Sequence, residues 1–428
     1  MIGILGGGFS GLSLAYLYNG TSQIVEKNKN IGGHCRSHTK DGFRYDEGGH
    51  ILFSRDQELL QRLLAVLRDN VGQHYRLNKI WFKNRFVKYP FENGLGGLEK
   101  EDIYECLIHY LQNDYPEPSN FREWIYYTFG KGIADSYLVP YNEKIWKTDL
   151  TRMTIDWAGA RVPRPPTEDI VKSALGISTE GYAHQLNFFY PKCDGIQALP
   201  DSLALLAQEK STIVTDYEIN SLKKTQDGWV VSNGTSEHCF EKIVSTIPVQ
   251  ILLNCLDKVP ADIRQAADDL RFNSSLFVLI GLADCRAKDI TSVYFPSPDL
   301  PFHRVGFPHS YDPTCVPAGK YAAVAEISSP AGKSRWLSSD DDIIEEVIRA
   351  LVKERFFNAA DVLAVDITRA PYSYVVYDIN HRKNITRILS YIKELGIEML
   401  GRFSQFEYWN LDQCFYQAEI LSEKLNRS

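Results

Sequence analysis

A glycine-rich turn between a short apolar strand and an apolar helix opens the chain and constrains its fold more than any other feature. Ile2–Leu5 is predicted as the strand, Gly6-Gly7-Gly8-Phe9-Ser10-Gly11 fits the pattern G-x-G-x-x-G, and Glu26 ends a second strand. Backbone N–H groups at a helix N-terminus can receive a pyrophosphate, and a carboxylate can accept hydrogen bonds from ribose hydroxyls. We therefore predict a βαβ unit that binds a dinucleotide through Gly6, Gly8, Ser10, Gly11 and Glu26. Glycines that only permit tight packing are the alternative.

A second set of glycines continues the pattern beyond Glu26. Gly32-Gly33 precedes Arg36, and Gly48-Gly49 precedes His50. This stretch resembles the FAD-binding amine oxidase superfamily, in which a second glycine pair lets the backbone pass close to the dinucleotide. The resemblance implies FAD as the cofactor, and it adds as cofactor-binding residues Lys27, Gly32, Gly33, Arg36, Gly48 and Gly49.

Charge and composition exclude several other classes of protein. The 428 residues carry a net charge of −7, which argues against a nucleic-acid-binding surface. The longest apolar run, Leu276 to Ala283, is too short to span a membrane. Eight cysteines without a C-x-x-C pair, and an N-terminus without a signal-like segment, predict a cytoplasmic protein with reduced thiols and no metal site.

The order of predicted elements indicates an α/β fold with a discontinuous Rossmann-like domain. Helices are predicted near 59–67, 103–111, 385–399 and 411–425, and a proline cluster at 163–166 suggests a hinge. Short strands after residue 190 either extend the first sheet or build another. We expect an FAD-binding domain at 1–75, 192–260 and 385–428, a helical nucleotide-binding insert at 95–162, and a mostly antiparallel sheet domain at 76–94, 163–191 and 261–384.

Several longer segments resemble the UDP-galactopyranose mutase family, especially its eukaryotic branch. These segments are Gly48 to Ser54, Tyr89-Pro90-Phe91-Glu92-Asn93, Phe129 to Pro163, Tyr294 to Arg304, and Gly401-Arg402-Phe403 with Tyr408. The run from Phe129 to Pro163 is the most specific match, and 165–290 matches only loosely. The resemblance implies a flavin-dependent isomerase of cell-surface polysaccharide biosynthesis that interconverts pyranose and furanose forms of a UDP-hexose.

In this family the N5 atom of reduced FAD attacks the anomeric carbon and the nucleoside diphosphate leaves. The resemblance makes His50, Arg161 and Arg304 the catalytic candidates, with His50 beside the flavin and the arginines on the diphosphate. The resemblance also implies that Arg402 contacts the flavin and that the helix from Leu411 directs its N-terminus at the flavin. The candidates for substrate binding are Tyr89, Tyr141, Asn142, Trp146, Tyr294, Tyr374, Tyr408 and Asn410. Aromatic core packing, a loop-bonded histidine and surface arginines in solvated ion pairs are the alternatives.

Some residues depart from the family pattern. Glu92 stands where the family has an amide, and an acid near a diphosphate is unfavourable unless it points away or meets a sugar hydroxyl. The identity of the sugar and of the base is therefore open. An external reductant such as NAD(P)H is expected, and a homo-oligomer is left open. The rival functions are an amine oxidase or protoporphyrinogen oxidase-like oxidoreductase, and a non-catalytic flavoprotein that binds a sugar nucleotide.

Overall fold

The computed structural model describes residues 1–162, 164–179 and 186–427. The strands are β1 Ile2–Leu5, β2 Ser22–Val25, β3 Ser37–Lys40, β4 Phe43–Asp46, β5 Gly72–Tyr75, β6 Asn78–Phe82, β7 Arg85–Lys88, β8 Asn187–Tyr190, β9 Ser211–Val214, β10 Ser221–Thr225, β11 Gly228–Ser232, β12 Glu237–Phe240, β13 Lys242–Ser245, β14 Phe272–Leu282, β15 Ser292–Tyr294, β16 Arg304–Gly306, β17 Tyr321–Pro330, β18 Val362–Val375 and β19 Ile397–Met399.

The α-helices are α1 Phe9–Leu17, α2 Gln57–Ala65, α3 Lys100–Leu111, α4 Phe121–Ile133, α5 Val139–Trp146, α6 Ala158–Arg161, α7 Thr167–Ala174, α8 Ala198–Ala207, α9 Val249–Asn254, α10 Ala261–Asp268, α11 Asp340–Lys353, α12 His381–Leu395 and α13 Leu411–Arg427. A π-helical turn, Ala134–Leu138, joins α4 to α5, and one of several 3-10 turns spans Phe91–Asn93.

A five-stranded parallel sheet contains the glycine-rich turn. Its order is β19-β13-β1-β2-β9, so its strands come from the beginning, the middle and the end of the chain. Helix α1 connects β1 to β2, as the glycine pattern predicts, and α8 and α13 pack against it. Of the short strands after residue 190, β9 and β13 join this sheet, whereas β11 lies in a separate three-stranded antiparallel sheet. The mixed α/β fold with a Rossmann-like domain confirms the predicted fold class.

A seven-stranded sheet forms the second layer of the molecule. Its order is β18-β14-β17-β16-β15-β6-β7, and only the β15–β6 pair is parallel. The central strand β14 contains most of the long apolar run and is buried on both faces. Leu276, Val278 and Ile280 pack under α11, while Phe277 and Leu279 face Phe43 and Tyr45. Alternate side chains therefore serve two different cores, which explains why this run is apolar without a break.

Helices α3 to α6 follow strand β7 and precede strand β8 in the chain. Gly130, inside α4, has φ +68°, and a Cβ atom there would lie 2.1 Å from the carbonyl oxygen of His109. Helices α3 and α4 can cross this closely because position 130 has no side chain. The fully buried Phe121, Phe129 and Ile133 form much of the core of this unit.

The predicted helix at 385–399 is wrong at its C-terminal end. Helix α12 ends at Leu395, Gly396 adopts φ +82°, and Ile397–Met399 pairs as the edge strand β19 with β13. The left-handed glycine stops the helix, and the free edge of β13 takes up the following residues. The helix predicted at 411–425 is present as α13. Pro163, in the predicted hinge, lies outside the described residues.

Two further observations concern the whole chain. All eight cysteines, each within the described part of the chain, are free thiols. In the ranges that the structure describes, we find no helix with the length and apolar character that crossing a bilayer requires.

Candidate cofactor and substrate cleft

One cleft, of about 1240 Å³, runs from the glycine-rich turn to the helical insert. The parallel sheet, the seven-stranded sheet and helices α5, α6 and α13 all contribute to its lining. Every predicted site residue except Gly11 lines it: Gly6, Gly8, Ser10, Glu26, Lys27, Gly32, Gly33, Arg36, Gly48, Gly49, His50, Tyr89, Tyr141, Asn142, Trp146, Arg161, Tyr294, Arg304, Tyr374, Arg402, Tyr408 and Asn410.

The two glycine motifs meet and form a single cradle. Gly8 pairs with Gly32 as a parallel bridge, and the Gly32 N–H donates to the carbonyl oxygen of Gly7 at 2.8 Å. A Cβ atom on Gly33 would lie 3.0 Å from the Cα atom of Gly8. Gly8, which precedes α1, makes no side-chain cap, so the first N–H groups of α1 are left for a ligand. A flat backbone surface beside an uncapped helix N-terminus fits the pyrophosphate of FAD.

Gly11 allows the turn to pack tightly, but it does not line the cleft. A Cβ atom at this position would lie 2.3 Å from the carbonyl oxygen of Gly6. Any side chain would therefore push α1 away from β1. The predicted requirement for glycine at position 11 has a structural reason, but the residue is not placed to touch a cofactor.

Glu26 is held in place by the backbone that it faces. Its Oε2 accepts from the Gly7 N–H at 2.8 Å, its Oε1 accepts from the backbone and side chain of Asn28, and Arg36 Nη2 lies 3.9 Å away. The carboxylate is buried and lines the cleft where Lys27 and Tyr217 also line it. Its fixed position fits the binding of ribose hydroxyls, as predicted.

The loop Gly48-Gly49-His50 and the start of α13 meet further along the cleft. Burial lowers the pKa of His50 to about 4, so the imidazole is neutral at physiological pH. Among the described residues, His50 Nδ1, Arg36 Nε and Arg402 Nε are buried lining atoms without a hydrogen-bond partner. Arg402 Nη2 donates to the carbonyl oxygen of Ser373 at 2.5 Å. These three are among the orphaned polar atoms along the cleft, and such atoms fit a polar cofactor such as FAD.

Arg304, a predicted diphosphate-binding residue, forms an ion pair with Glu326. Its Nε donates to Glu326 Oε2 at 2.9 Å, and its Nη2 also contacts this carboxylate. Tyr374 Oη donates to Glu326 Oε1 at 2.6 Å. Burial alone would raise the pKa of Glu326, but Arg304, His303 and Tyr374 lower it to about 2. The Arg304 charge is therefore already balanced, and its guanidinium lies against the position of Gly49.

Arg161 connects the helical insert to the segment before α13. Its Nη1 donates to Asn410 Oδ1 at 2.8 Å, its Nη2 donates to the carbonyl oxygen of Tyr408, and its guanidinium carbon lies 4.4 Å from the centroid of the Tyr408 ring. Arg402 lies 4.3 Å from the same centroid. Two arginines over one tyrosine ring give this part of the cleft a concentrated positive charge.

Aromatic rings line the cleft next to the insert. Tyr89 stacks on Tyr294 with centroids 4.7 Å apart, and Tyr137 stacks on Tyr141 with centroids 5.3 Å apart. Tyr141 also meets the edge of Tyr294 at 5.8 Å. Flat walls of this kind suit a planar ligand ring.

Asn142, which was predicted to hydrogen-bond the substrate, already hydrogen-bonds to residues of its own helical segment. Asn142 Nδ2 donates to the carbonyl oxygen of Leu138 at 2.7 Å, and its Oδ1 accepts from Trp146 Nε1 at 3.0 Å. Trp146 is buried and packs edge-on against Trp157, Tyr374 and Tyr408. Both residues line the cleft, but their polar groups already have partners.

Sequence reasoning missed three lining residues, Arg76, Tyr137 and Glu326. Arg76 and Tyr137 lie in no motif that would have singled them out. Glu326 had a usable signal, because it is the one acid in the otherwise apolar or small-residue strand β17. A single carboxylate in a central strand predicts a buried cation nearby, which Arg304 supplies.

Comparisons with known proteins agree with this architecture. A family model described as an NAD(P)-binding Rossmann-like domain matches residues 4–67. A carotenoid 3,4-desaturase of Haloarcula japonica is 24% identical over 282 residues, which are 56% of this chain and 54% of that protein. The chain thus spans about half the length of this curated relative.

Solved structures resemble the whole chain. A reduced UDP-galactopyranose mutase has a TM-score of 0.89 at 24% identity, covering 99% of this chain and 95% of that one. A protein described as a protoporphyrinogen oxidase, from Exiguobacterium sp., has a TM-score of 0.77 at 17% identity over 100% and 98% of the two chains. Cyclohexylamine oxidase from Brevibacterium oxydans has a TM-score of 0.67 at 13% identity over 100% and 99%. The fold, the Rossmann-like match and the glycine cradle together support an FAD cofactor.

Proposed function

We propose that this protein is an FAD-dependent mutase that interconverts the pyranose and furanose forms of a nucleoside diphosphate hexose. The observation that carries the proposal is the continuity of the cleft. It leads from the cofactor cradle past Arg304 and Arg76, which are half-buried, to an aromatic chamber. The walls of this chamber are Tyr89, Tyr137, Tyr141 and Tyr294. A nucleotide sugar has its reactive carbon, its diphosphate and its base in the same order.

The polar character of the cleft favours this substrate class over an apolar one. Charged side chains line the middle of the cleft: Glu326 is buried, and Arg304 and Arg76 are half-buried. An apolar substrate would displace water from these charged groups and would offer them no hydrogen bonds in return. The resemblance to UDP-galactopyranose mutases supports a hexose and a diphosphate, and the proposal does not depend on the base.

FAD, once bound and reduced, would supply a nucleophilic nitrogen at the anomeric carbon. The residues of this chain would bind the cofactor and the substrate, orient them, and tune the cofactor through the charge around it. Neutral His50 lines the reactive end and adds no positive charge there. Arg402 and the N-terminus of α13 favour negative charge on the reduced cofactor. Arg161, on the short helix α6, can exchange its contacts with Asn410 and Tyr408 for diphosphate oxygens.

The remaining roles belong to the same proposal. Tyr89, Tyr141 and Tyr294 form the walls around the nucleoside, and Tyr374 with Tyr408 bounds the sugar and diphosphate. An external reductant such as NAD(P)H would reduce the cofactor, and we propose a cytoplasmic location for this chemistry.

The test is interconversion by dithionite-reduced, FAD-loaded protein. Each of several nucleoside diphosphate hexoses is incubated without oxygen, and the pyranose and furanose forms are separated by anion-exchange chromatography. The proposal expects conversion of at least one substrate with reduced enzyme and none with oxidised enzyme. No conversion across the panel would overturn it, and oxygen-dependent peroxide release with an amine or a porphyrinogen would favour the oxidase alternative.

A further inference from the structure

A buried acid lies in the aromatic chamber, and it has no side-chain partner among the residues that the structure describes. Glu92 belongs to the 3-10 turn Phe91–Asn93, is only 3% exposed, and lines the cleft. Its neighbours fix the turn. Phe91 is fully buried and stacks on Tyr137, and Asn93 Nδ2 donates to Thr179 Oγ1 at 2.7 Å. The carboxyl group therefore cannot swing out to solvent without unpacking the turn.

The Glu92 carboxyl differs from the other buried acids of the cleft. Glu26 and Glu326 accept several hydrogen bonds and each lies within 4 Å of an arginine. Within the part of the chain that the structure describes, no side chain hydrogen-bonds to Glu92 or pairs with its charge, and only its own backbone N–H contributes. Burial raises the pKa of Glu92 to about 7. An unpaired buried carboxyl is costly, so a ligand that donates hydrogen bonds to it gains more than it would at the surface.

The position of Glu92 assigns it to one end of the substrate. Contacts lead from Gly49 to Arg304, and Tyr294 lies near enough to raise the pKa of Arg304. Tyr294 stacks on Tyr89, whose pKa is raised mainly by burial and also by Glu92. Tyr294 is the cross-strand partner of Arg304, and Phe91, next to Glu92 in the turn, stacks on Tyr137. Glu92 therefore belongs to the aromatic end of the cleft and not to the Gly49 end. A nucleotide sugar with its reactive carbon at Gly49 would place its base here.

The amide that was predicted to bind the base already has partners. The amide of Asn142 is engaged by Leu138 and Trp146, and the tyrosine rings present flat surfaces that do not discriminate between bases. We infer that Glu92 selects the base of the substrate, and that this base carries an amino group, as guanine, cytosine and adenine do. This inference rests on the proposed function and narrows its substrate class.

The hydrogen-bonding chemistry of a carboxylate explains why Glu92 would prefer a base with an amino group. An ionised carboxylate only accepts hydrogen bonds, so it favours N–H donors and repels carbonyl oxygens. Uracil and thymine present carbonyl oxygens on both sides of their single N–H group. Guanine presents two adjacent N–H donors that match both carboxylate oxygens, and cytosine presents an exocyclic amino group. An amide at position 92 would remove this preference, because its NH₂ group can donate to a carbonyl.

The experiment measures binding and needs no turnover. FAD-loaded wild-type protein, Glu92→Gln and the exposed control Glu117→Gln are titrated calorimetrically at pH 8 with GDP, CDP, ADP, UDP and dTDP. We expect one amino-bearing nucleotide to bind the wild-type and control proteins about tenfold or more tightly than UDP. In Glu92→Gln this ratio should fall to about threefold or less. Unchanged flavin absorbance would show that the variant keeps its fold.

The outcomes separate this inference from the function on which it rests. If UDP or dTDP binds the wild-type protein as tightly as any amino-bearing nucleotide, the inference is overturned, and this result does not require the variant to fold. Selectivity that persists unchanged in Glu92→Gln also overturns it. If no nucleoside diphosphate binds at millimolar concentration, the proposed function itself fails.

Discussion

The guanidinium carbon of Arg161 lies 4.4 Å from the centroid of the Tyr408 ring, and the Nη1 atom of the same arginine donates to Asn410 at 2.8 Å. These contacts join the helical insert to the residues that begin α13. One side chain therefore links two walls of the cleft that are almost 250 residues apart in the chain. A ligand phosphate that replaces these contacts would also change how the two walls are held together.

Replacing Arg161 should weaken nucleotide binding strongly. We expect Arg161→Ala to lose about 10- to 100-fold in affinity for the tightest-binding nucleoside diphosphate, and Arg161→Lys to recover only part of it, because lysine lacks the planar bidentate fork. Isothermal titration calorimetry measures this. Arg164→Ala, at an exposed arginine close by in the chain, is the matched control. Equal affinities for all three variants would show that Arg161 does not bind the diphosphate.

A side chain on Gly33 should prevent cofactor binding. Position 33 has φ +62°, and the Cβ atom of Gly33→Ala would lie 3.0 Å from the Cα atom of Gly8. The new methyl group would therefore fill the cradle. We expect less than about a tenth of the wild-type FAD content in purified protein, measured by absorbance near 450 nm. Gly319→Ala has a similar φ, +71°, with no neighbouring atom within 4 Å. This control should keep its FAD, and loss of FAD from both variants would point to backbone strain instead.

Glu92 should make the ligand-free fold less stable at high pH. Burial raises its pKa from 4.5 to about 7, so the folded state holds this proton more tightly than the unfolded state. Below about pH 4 the Glu92 carboxyl leaves the free energy of unfolding unchanged, and it lowers this free energy as the pH rises through 7. Glu92→Gln should therefore raise the free energy of unfolding at pH 8 by up to about 3 kcal/mol, and by little at pH 5.

Urea unfolding of the FAD-loaded proteins at both pH values measures this difference. Glu117→Gln, at an exposed site, serves again as the control and should change stability little at either pH. A Glu92→Gln variant that is less stable than the wild-type protein at pH 8 would mean that the carboxylate has a stabilising partner.

The Arg304–Glu326 pair should contribute more to stability than any exposed pair. Glu326→Gln leaves the Arg304 charge buried and uncompensated, which we expect to cost about 3–5 kcal/mol at pH 7. The pair lowers the pKa of Glu326 to about 2, so its contribution is present above the unfolded pKa near 4.5 and is lost as the pH falls towards 2.

Glu346→Gln breaks the exposed pair with Arg335 and should cost less than about 1 kcal/mol. Chemical denaturation of both variants at pH 7 and pH 3.5 compares the two pairs. Similar losses for Glu326→Gln and Glu346→Gln at pH 7 would contradict the buried pair's larger contribution.

The first βαβ unit could be predicted from sequence because its determinants are local. Gly6, Gly8 and Glu26 are required by the conformation of one turn and two short strands, and the structure has them in the predicted places. Helix α13 was also predictable, because its apolar spacing spans many residues. Residues 397–399 were not, because three residues carry too little periodicity to oppose the helix before them, and only the free edge of β13 made them a strand.

The same distinction between local and long-range determinants applies to the candidate site. The sequence by itself determined the dinucleotide fold, the places where glycine is needed and the residue types that line the cleft. Only the tertiary structure decided that Arg304 is balanced by Glu326, that Asn142 is engaged by Leu138 and Trp146, and that Glu92 is buried with no side-chain partner among the described residues. A turn or a helix depends on neighbouring residues, whereas the charge and hydrogen bonding of a buried group depend on partners that the fold brings together from distant parts of the chain.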